Sequence, residues 1–434
     1  MMERFAWTPD GLTRAVELGP HRTIQELRIN RSEESDVDAW DGAILKGAVP
    51  RLISGGGRGT IRVVDLFCGA GGLSYGVLQG LKALGYSPIV ELAADLDPEA
   101  LALYEQNFGP RELHLGSVAD LVAAPIDTTG ETARFTHTPW VRDRRLAARL
   151  AGTTVLIGGP PCQGHSNLNN HTRRFDPRNE LYLAMPAVAI ALDIPIVIIE
   201  NVREVRVDHH GVVKQSTELF RAAGYDVVEG VLAAMDLGLP QTRHRFFLVA
   251  VKGSNGARDK RLQDLIAPLV RPPRTLRWAI GDLETKPLAN LHTPAKLSDE
   301  NRQRIDYLFD TGEYELPNPQ RPKCHRNGHT YRSVYGRLKW EQPAGTITTG
   351  FLTPGRGRYV HPSQRRALTP HEAARIQGFP DSFHFTYEDG SMPANKTLAK
   401  VIGDAVPPPM GYAAVLAAMQ LRSAEVVYEV AAAA

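Results

Sequence analysis

The sequence predicts an α/β fold in which a parallel sheet is covered by helices on both faces. Three observations carry that expectation. Continuous apolar runs recur along the chain, and a helical pattern follows most of them. The first run ends in a glycine-rich turn, Cys68-Gly69-Ala70-Gly71-Gly72. Two later runs end in reactive side chains, at Pro160-Pro161-Cys162 and at Glu200-Asn201-Val202. In an open sheet the carboxyl ends of the strands form the edge where ligands bind. One turn, one thiol and one carboxyl on a shared rim suit group-transfer chemistry.

The elements follow in order. Residues 1–58 do not match the later pattern and are expected as an extension of unknown role, packing on the sheet or docking a partner. Residues 54–59 (SGGGRG) read as a flexible joint. A strand is predicted over 61–67, a helix over 73–84, and a strand over 89–94 that ends at Asp95. The helix over 98–107 opens on Pro98, whose fixed φ suits a first turn. Residues 121–150 form a long, arginine-containing insertion. Strands over 153–159, 195–199, 225–232 and 245–251 complete a catalytic unit spanning 59–251. Residues 252–360, rich in Pro, Arg and turn signals, break the rhythm and read as a smaller inserted domain. Residues 361–434 return to the first sheet through helices at 370–378, 396–402 and 410–423.

Composition narrows the class. The chain has 434 residues, enough for two or three domains, with 43% apolar and 23% charged residues. No run approaches the ~18 apolar residues of a membrane span. The amino terminus lacks a secretory core, so a cytoplasmic protein is expected. The three cysteines, Cys68, Cys162 and Cys324, make no disulfide framework. Net charge is only +2, yet residues 252–342 hold 17 Lys and Arg against 11 Asp and Glu. That surplus points to a polyanionic partner, the alternative being a solvated surface of mixed charge.

Taken singly, the site residues leave alternatives open. The glycine turn at the start of a helix suits a ligand carboxylate, or is a plain tight turn. Asp95 stands where the acid of a nucleoside site accepts from ribose hydroxyls. Cys162 is an exposed thiol or a buried structural one. Glu200, leaving an apolar strand, is an acid of raised pKa or a helix cap. Arg243 and Arg245 share one face at period two and bind phosphate or a carbonyl oxygen, or form a solvated pair.

Together these elements resemble the DNA (cytosine-5)-methyltransferase family. The matching stretches are Asp65-Leu-Phe-Cys-Gly-Ala-Gly-Gly-Leu73, Gly159-Pro-Pro-Cys-Gln-Gly-His-Ser166, Asp176-Pro-Arg-Asn-Glu-Leu181 and Glu200-Asn-Val202. They continue with Gln241-Thr-Arg-His-Arg245, residues 368–381 (LTPHEAARIQGFPD) and Ile402-Gly-Asp-Ala-Val-Pro407. The resemblance runs in family order over about 61–418. It implies a Rossmann-like sheet that takes S-adenosyl-L-methionine, with a target-recognition domain inserted at 252–360.

By that resemblance, Cys162 adds to C6 of a cytosine flipped from duplex DNA, and Glu200 bonds or protonates N3. Arg245 binds the cytosine O2, and Arg243 supports phosphate or loop contacts. Phe67 and Leu96 face the adenine, the backbone of Gly69, Ala70, Gly71 and Gly72 takes the methionine carboxylate, and Asp95 takes the ribose. Ser117, Val118, Pro160, Asp404 and Ala405 complete the cofactor set. Ser117, Asp404, Leu96 and His165 depart from the usual carboxylate, Asn, larger side chain and Phe. Gln163, Ser166, Arg173 and Arg174 lie in the loop implied to close over DNA. Arg326, Arg332 and Arg337, with Arg321, Lys323 and Lys339 and interleaved with Tyr331 and Tyr335, are the expected groove and backbone contacts. Cys324, His325 and His329 are a poor ligand set, so no metal is expected. The expected partner is double-stranded DNA, met as a monomer, with functional pairing to a restriction or defence nuclease. The alternatives are an RNA cytosine methyltransferase and a catalytically silent DNA reader.

Overall fold

A computed structural model describes residues 1–127, 132–161, 181–208, 211–254, 260–326 and 334–422. The central sheet has seven strands. Its chain order is β5 (Thr60–Leu66), β6 (Ser87–Asp95), β7 (Glu112–Leu115), β12 (Val155–Gly158), β13 (Ile196–Asn201), β14 (Tyr225–Ala233) and β15 (His244–Lys252). In space the order is β14-β15-β13-β12-β5-β6-β7. The chain builds outward from β5 to β7, then returns to β12 and builds the other way. The β5/β12 boundary is therefore a topological switch point, where the crevice for a ligand opens.

Strands β13, β12, β5, β6 and β7 pair in parallel, whereas β15 pairs antiparallel with both β13 and β14. This corrects the wholly parallel sheet expected from the apolar runs. Antiparallel β15 is as deeply buried as the parallel strands β12 and β13, so their patterns read alike. The short link from Ala233 to His244 holds only the 3-10 turn Met235–Leu237, too little for a parallel crossover.

Alternation along the strands sends residues to two cores. Ile61, Val63, Val155, Ile157, Ile196 and Ile198 pack on one face, with α2 (Gly72–Ala83) and α12 (Pro408–Leu421). Val64, Leu66, Leu156, Val197 and Ile199 pack on the other, with α5 (Ala184–Ala191) and α6 (Val212–Ala222). Between β6 and β7, α3 (Pro98–Phe108) starts cleanly because Asp97 accepts from Glu99 N at 3.0 Å and Ala100 N at 3.3 Å. Helices α2 and α12 meet backbone to backbone: a Cβ on Gly76 would lie 1.9 Å from Pro408 O.

Two segments were illegible in the sequence. Residues 1–58, expected as an extension of unknown role, begin with a four-stranded antiparallel sheet in the order β1-β2-β3-β4. Its strands are β1 (Met2–Thr8), β2 (Gly11–Leu18), β3 (His21–Leu27) and β4 (Arg51–Ser54), with α1 (Asp36–Leu45) between the last two. Residues 54–57 of the expected flexible joint are exposed, while Arg58 donates to Leu84 O at 3.1 Å and stacks on Tyr86. The described residues of the 121–150 segment hold four two-residue strands, β8 (Val122–Ala123), β9 (Ile126–Asp127), β10 (Arg134–Phe135) and β11 (Trp140–Val141), then α4 (Arg144–Leu150).

After β15 come the short helices α7 (Leu262–Ile266) and α8 (Leu276–Ile280), then α9 (Asp299–Asp310). A third core joins this segment to α10 (Pro370–Ile376) and α11 (Asn395–Asp404). Thr369 and Glu372 form a reciprocal capping box that starts α10. No helix among the described residues is long and apolar enough to cross a membrane.

Candidate active site

Four neighbouring strands bring the candidate residues to one edge. Strands β12 and β13 run in register, with Gly158 beside Ile199, so Gly159-Pro160-Pro161 leaves the sheet next to Glu200. A Cβ on Gly159 would lie 3.2 Å from a Glu200 oxygen. Asn201 Nδ2 donates to Pro160 O at 3.1 Å and ties the two strand ends together. Cys162, the next residue but one, lies outside the described residues, as do Gln163, Ser166, Arg173, Arg174 and Arg332.

Glu200 is buried, and burial raises its pKa above the ordinary carboxyl value. Arg245 opposes that shift through its Nε, 2.9 Å from Glu200 Oε1, and Arg243 opposes it more remotely. The result is a carboxyl held in place and biased towards its protonated form. Arg245 also donates to His244 O at 2.9 Å, which fixes its guanidinium across β13.

Arg243 has a different role from the one its spacing suggested. It is only 1% exposed and donates to Ile347 O at 2.7 Å, Ala405 O at 3.0 Å and Gly403 O at 3.3 Å. It clasps two chain segments beneath the site, at Ile347 and at 403–405, a loop contact of the kind the resemblance implied as the alternative to a phosphate. Arg243 lies just before β15 begins at His244, outside the strand's alternation, while Arg245 stays on the strand beside Glu200.

On the other side of the switch point, the turn after β5 is built for a ligand. Phe67 holds φ 59 in the left-handed region, uncommon for a bulky residue and typical of strained sites. Gly69 (φ 54) and Gly71 (φ 93) complete the turn. A Cβ on Gly69 would meet nothing within 4 Å, whereas one on Gly71 would strike Phe108. One side of the turn is thus sealed by packing and the other is open. Ala70 is buried beneath, and a Cβ on Gly72 would lie 2.4 Å from Val406 O.

Asp95 spans this turn and its own. Its Oδ2 accepts from Gly69 N at 2.8 Å and its Oδ1 from Asp97 N at 2.9 Å. Among the described residues each oxygen accepts one such bond, which leaves a lone pair on each. Leu96 beside it is 68% exposed, an apolar surface at the rim. Ser117 accepts from Ala119 N at 3.2 Å, and Val118 is buried behind it. Asp404 ends α11 with its side chain exposed, facing Lys400 at 3.9 Å. Lys400 also pairs with Asp97 at 3.0 Å, linking α11 to the turn after β6.

The basic residues of the 252–360 segment are largely engaged. Arg326 donates to Arg321 O at 2.8 Å and Pro319 O at 2.9 Å, closing its own loop. Arg337 donates to Pro362 O at 2.7 Å and lies 4.0 Å above the Phe309 ring. Sequence reading missed a buried amide relay: Gln241 Nε2 donates to Gln377 Oε1 at 2.8 Å, and Gln377 Nε2 to Ile402 O at 2.7 Å. The two glutamines lie in separate recognised stretches, and only their shared polar character within apolar surroundings signalled them.

A family model described as C-5 cytosine-specific DNA methylase matches residues 61–419. The chain belongs to that family. It is a DNA cytosine-5 methyltransferase, and its methyl donor is S-adenosyl-L-methionine. It is 39% identical over 372 residues to the Type II methyltransferase M1.BsuMI of Bacillus subtilis, covering 84% of this chain and 81% of that protein. It is 32% identical over 364 residues to the Type II methylase M.HgiDII of Herpetosiphon aurantiacus, covering 80% and 92%. Among solved structures, a putative DNA modification methyltransferase from an Escherichia coli prophage shares the fold. That match has a TM-score of 0.56 and 21% identity, covering 83% of this chain and 99% of that one. The Dnmt2 methyltransferase of S. pombe also shares it, with a TM-score of 0.54 and 17% identity, covering 81% and 96%. An open glycine face, a strained Phe67 and an exposed Leu96 frame one side of the crevice.

Proposed function

We propose that this enzyme methylates C5 of a cytosine in a short, specific duplex sequence through a covalent bond from Cys162 to C6. The observation that carries the reading is the buried Glu200 carboxyl, paired to Arg245 at 2.9 Å beside the strand end that leads into Cys162. An unactivated pyrimidine carbon is a poor nucleophile, and addition of a thiolate divides one hard step into easier ones. The Cys162 sulfur bonds to C6, the ring π electrons move towards N3, and Glu200 supplies the proton there. C5 thereby becomes nucleophilic. S-adenosyl-L-methionine supplies an electrophilic methyl group. Loss of the C5 proton to a base, expulsion of the Cys162 thiolate and return of the N3 proton to Glu200 then restore the neutral aromatic ring. Arg245 orients Glu200 and offsets charge at the cytosine O2. The reacting face is stacked inside a duplex, so the base must swing out to reach this buried acid.

On the cofactor side, Asp95 takes the ribose hydroxyls, Phe67 and Leu96 flank the adenine, and the Gly69–Gly72 backbone takes the carboxylate. Ser117, Val118, Pro160, Asp404 and Ala405 line the remainder. Residues 252–360 read the duplex, with Arg326 and Arg332 at its phosphates. Gln163, Ser166, Arg173 and Arg174 close over the DNA. Arg337, packed between aromatic rings, holds the reading segment in shape. The enzyme acts as a monomer on intracellular DNA beside a restriction nuclease, a pairing that the Type II names of its relatives support.

Methyl transfer from labelled S-adenosyl-L-methionine to mixed duplex DNA, mapped at base resolution, tests the proposal. Label is expected at cytosine C5 in one short motif for the wild type and none for Cys162→Ala. Label on RNA alone, or equal label from Cys162→Ala, would refute it.

A further inference from the structure

Between Leu269 and Leu276 the chain leaves one core and enters another. Leu262, Leu265, Ile266 and Leu269 are buried with the central sheet, whereas Leu276, Ala279, Ile280 and Leu283 are buried with Leu338, Phe351 and Tyr359. Two arginines stand on that crossing, and residues from the amino-terminal sheet and α1 hold both. Arg274 Nε lies 2.8 Å from Asp38 Oδ1, and its Nη2 lies 2.8 Å from Asp41 Oδ2. Its Nη1 donates to Gly238 O at 3.2 Å, and its guanidinium stacks 4.1 Å from the Trp278 ring centre. Arg271 pairs with Asp41 at 3.3 Å and with Glu3, while its backbone N donates to Asp236 O at 2.9 Å. Each arginine therefore ties the amino-terminal unit and the catalytic body to the crossing.

The carboxylates are themselves fixed. Glu3 is almost fully buried and receives Arg14 at 3.5 Å and the Tyr412 hydroxyl at 2.6 Å. The unit also enters both cores: Val16 joins the sheet core, Leu45 joins the third core, and Leu45 O accepts from Asp381 N at 3.0 Å. Apolar packing alone would anchor such a unit while leaving its rotation free. Guanidinium forks met by carboxylates from two elements fix direction as well as distance.

We propose that residues 1–54 set the angle of the 270–360 segment against the catalytic rim, with Asp38, Asp41 and Glu3 as positioning residues acting through Arg271 and Arg274. The inference rests on the reading of residues 252–360 as the part that recognises the duplex. A base must arrive at Glu200 in register with the side chains that read its neighbours. A shift of an ångström at the crossing is enough to spoil that register.

The test uses full-length protein, with Asp41→Asn and the double variant Asp38→Asn/Asp41→Asn. Initial rates are measured on the mapped target and on duplexes carrying one changed base pair, and S-adenosyl-L-methionine affinity is measured by calorimetry. The ratio of kcat/KM between target and altered site should fall about 10-fold in the double variant, the scale of one lost base contact. It should fall less in Asp41→Asn, while cofactor affinity stays within about twofold in both. An unchanged ratio in a selective enzyme would overturn the brace alone. So would a parallel loss of DNA rate and cofactor binding matching the unfolded fraction in Asp41→Asn. A wild type that labels cytosines without regard to sequence would sink the recognition reading, and the brace with it.

Discussion

Glu200 is the residue whose chemistry is most exposed to test. Its folded pKa is raised, so the protonated acid persists to higher pH than an ordinary carboxyl. Turnover that needs this proton is fully present below the raised pKa and is lost as pH rises through it. Glu200→Gln should lower kcat by about 10²–10⁴-fold and remove that alkaline limb. Rate–pH profiles of the two proteins check both effects, and an intact limb in the variant would assign it elsewhere. Residue identities at the rim were legible because strand ends and motif spacing announce them. The role of Arg243 was not. Period two placed it with Arg245, but only the three carbonyls beneath β15 show that it is a clasp.

At the scale of elements, the contact of α2 with α12 is the least forgiving. Gly76 lets the α2 backbone approach Pro408 O, and any side chain there would overlap that carbonyl. Gly76→Ala should therefore cost about 1–3 kcal/mol in overpacking, read as a lower urea midpoint with an unchanged slope. The variant should keep its catalytic rate at low temperature, because the contact lies away from Glu200. Helix positions were readable from caps and prolines, as at Asp97-Pro98 and Thr369-Pro370. Strand direction was not, since β15 is as apolar as its parallel neighbours. The amino-terminal strands were missed for another reason. Their alternation is blurred by charges such as Arg14 and Glu3, buried against each other, and Glu26, buried against Arg51.

Across the whole molecule, buried charges make stability depend on pH in two directions. Burial alone would raise Glu3, Glu372 and Asp381, but Arg14 and Arg271, Arg366, and Arg375 respectively outweigh it and lower all three. Their contribution is present above the unfolded carboxyl values of about 4 and is lost as pH falls through the lowered folded values. Asp65 works the other way. Burial raises it to about 8, so its contribution is fully present below about pH 4 and is lost as pH rises towards that value. Glu200 shares that sense. The unfolding temperature should peak at roughly pH 5–6 and decline on both sides. Calorimetric scans from pH 3 to 9 check this, and a flat profile above pH 6 would show that Asp65 is charged in the fold.

The strand order has one more consequence. Read across the sheet, β13, β12, β5 and β6 deliver Glu200, the approach to Cys162, the glycine turn and Asp95 in a single row. Adjacent strands lie about 4.8 Å apart, so the row is about 14 Å long. The backbone ladder thus acts as a ruler, its four marks spaced by hydrogen bonds that no side-chain change can stretch. Nothing between the marks depends on the length of chain connecting them. The excursion at 121–150 can therefore grow, shrink or be replaced while the distance from acid to ribose stays the same.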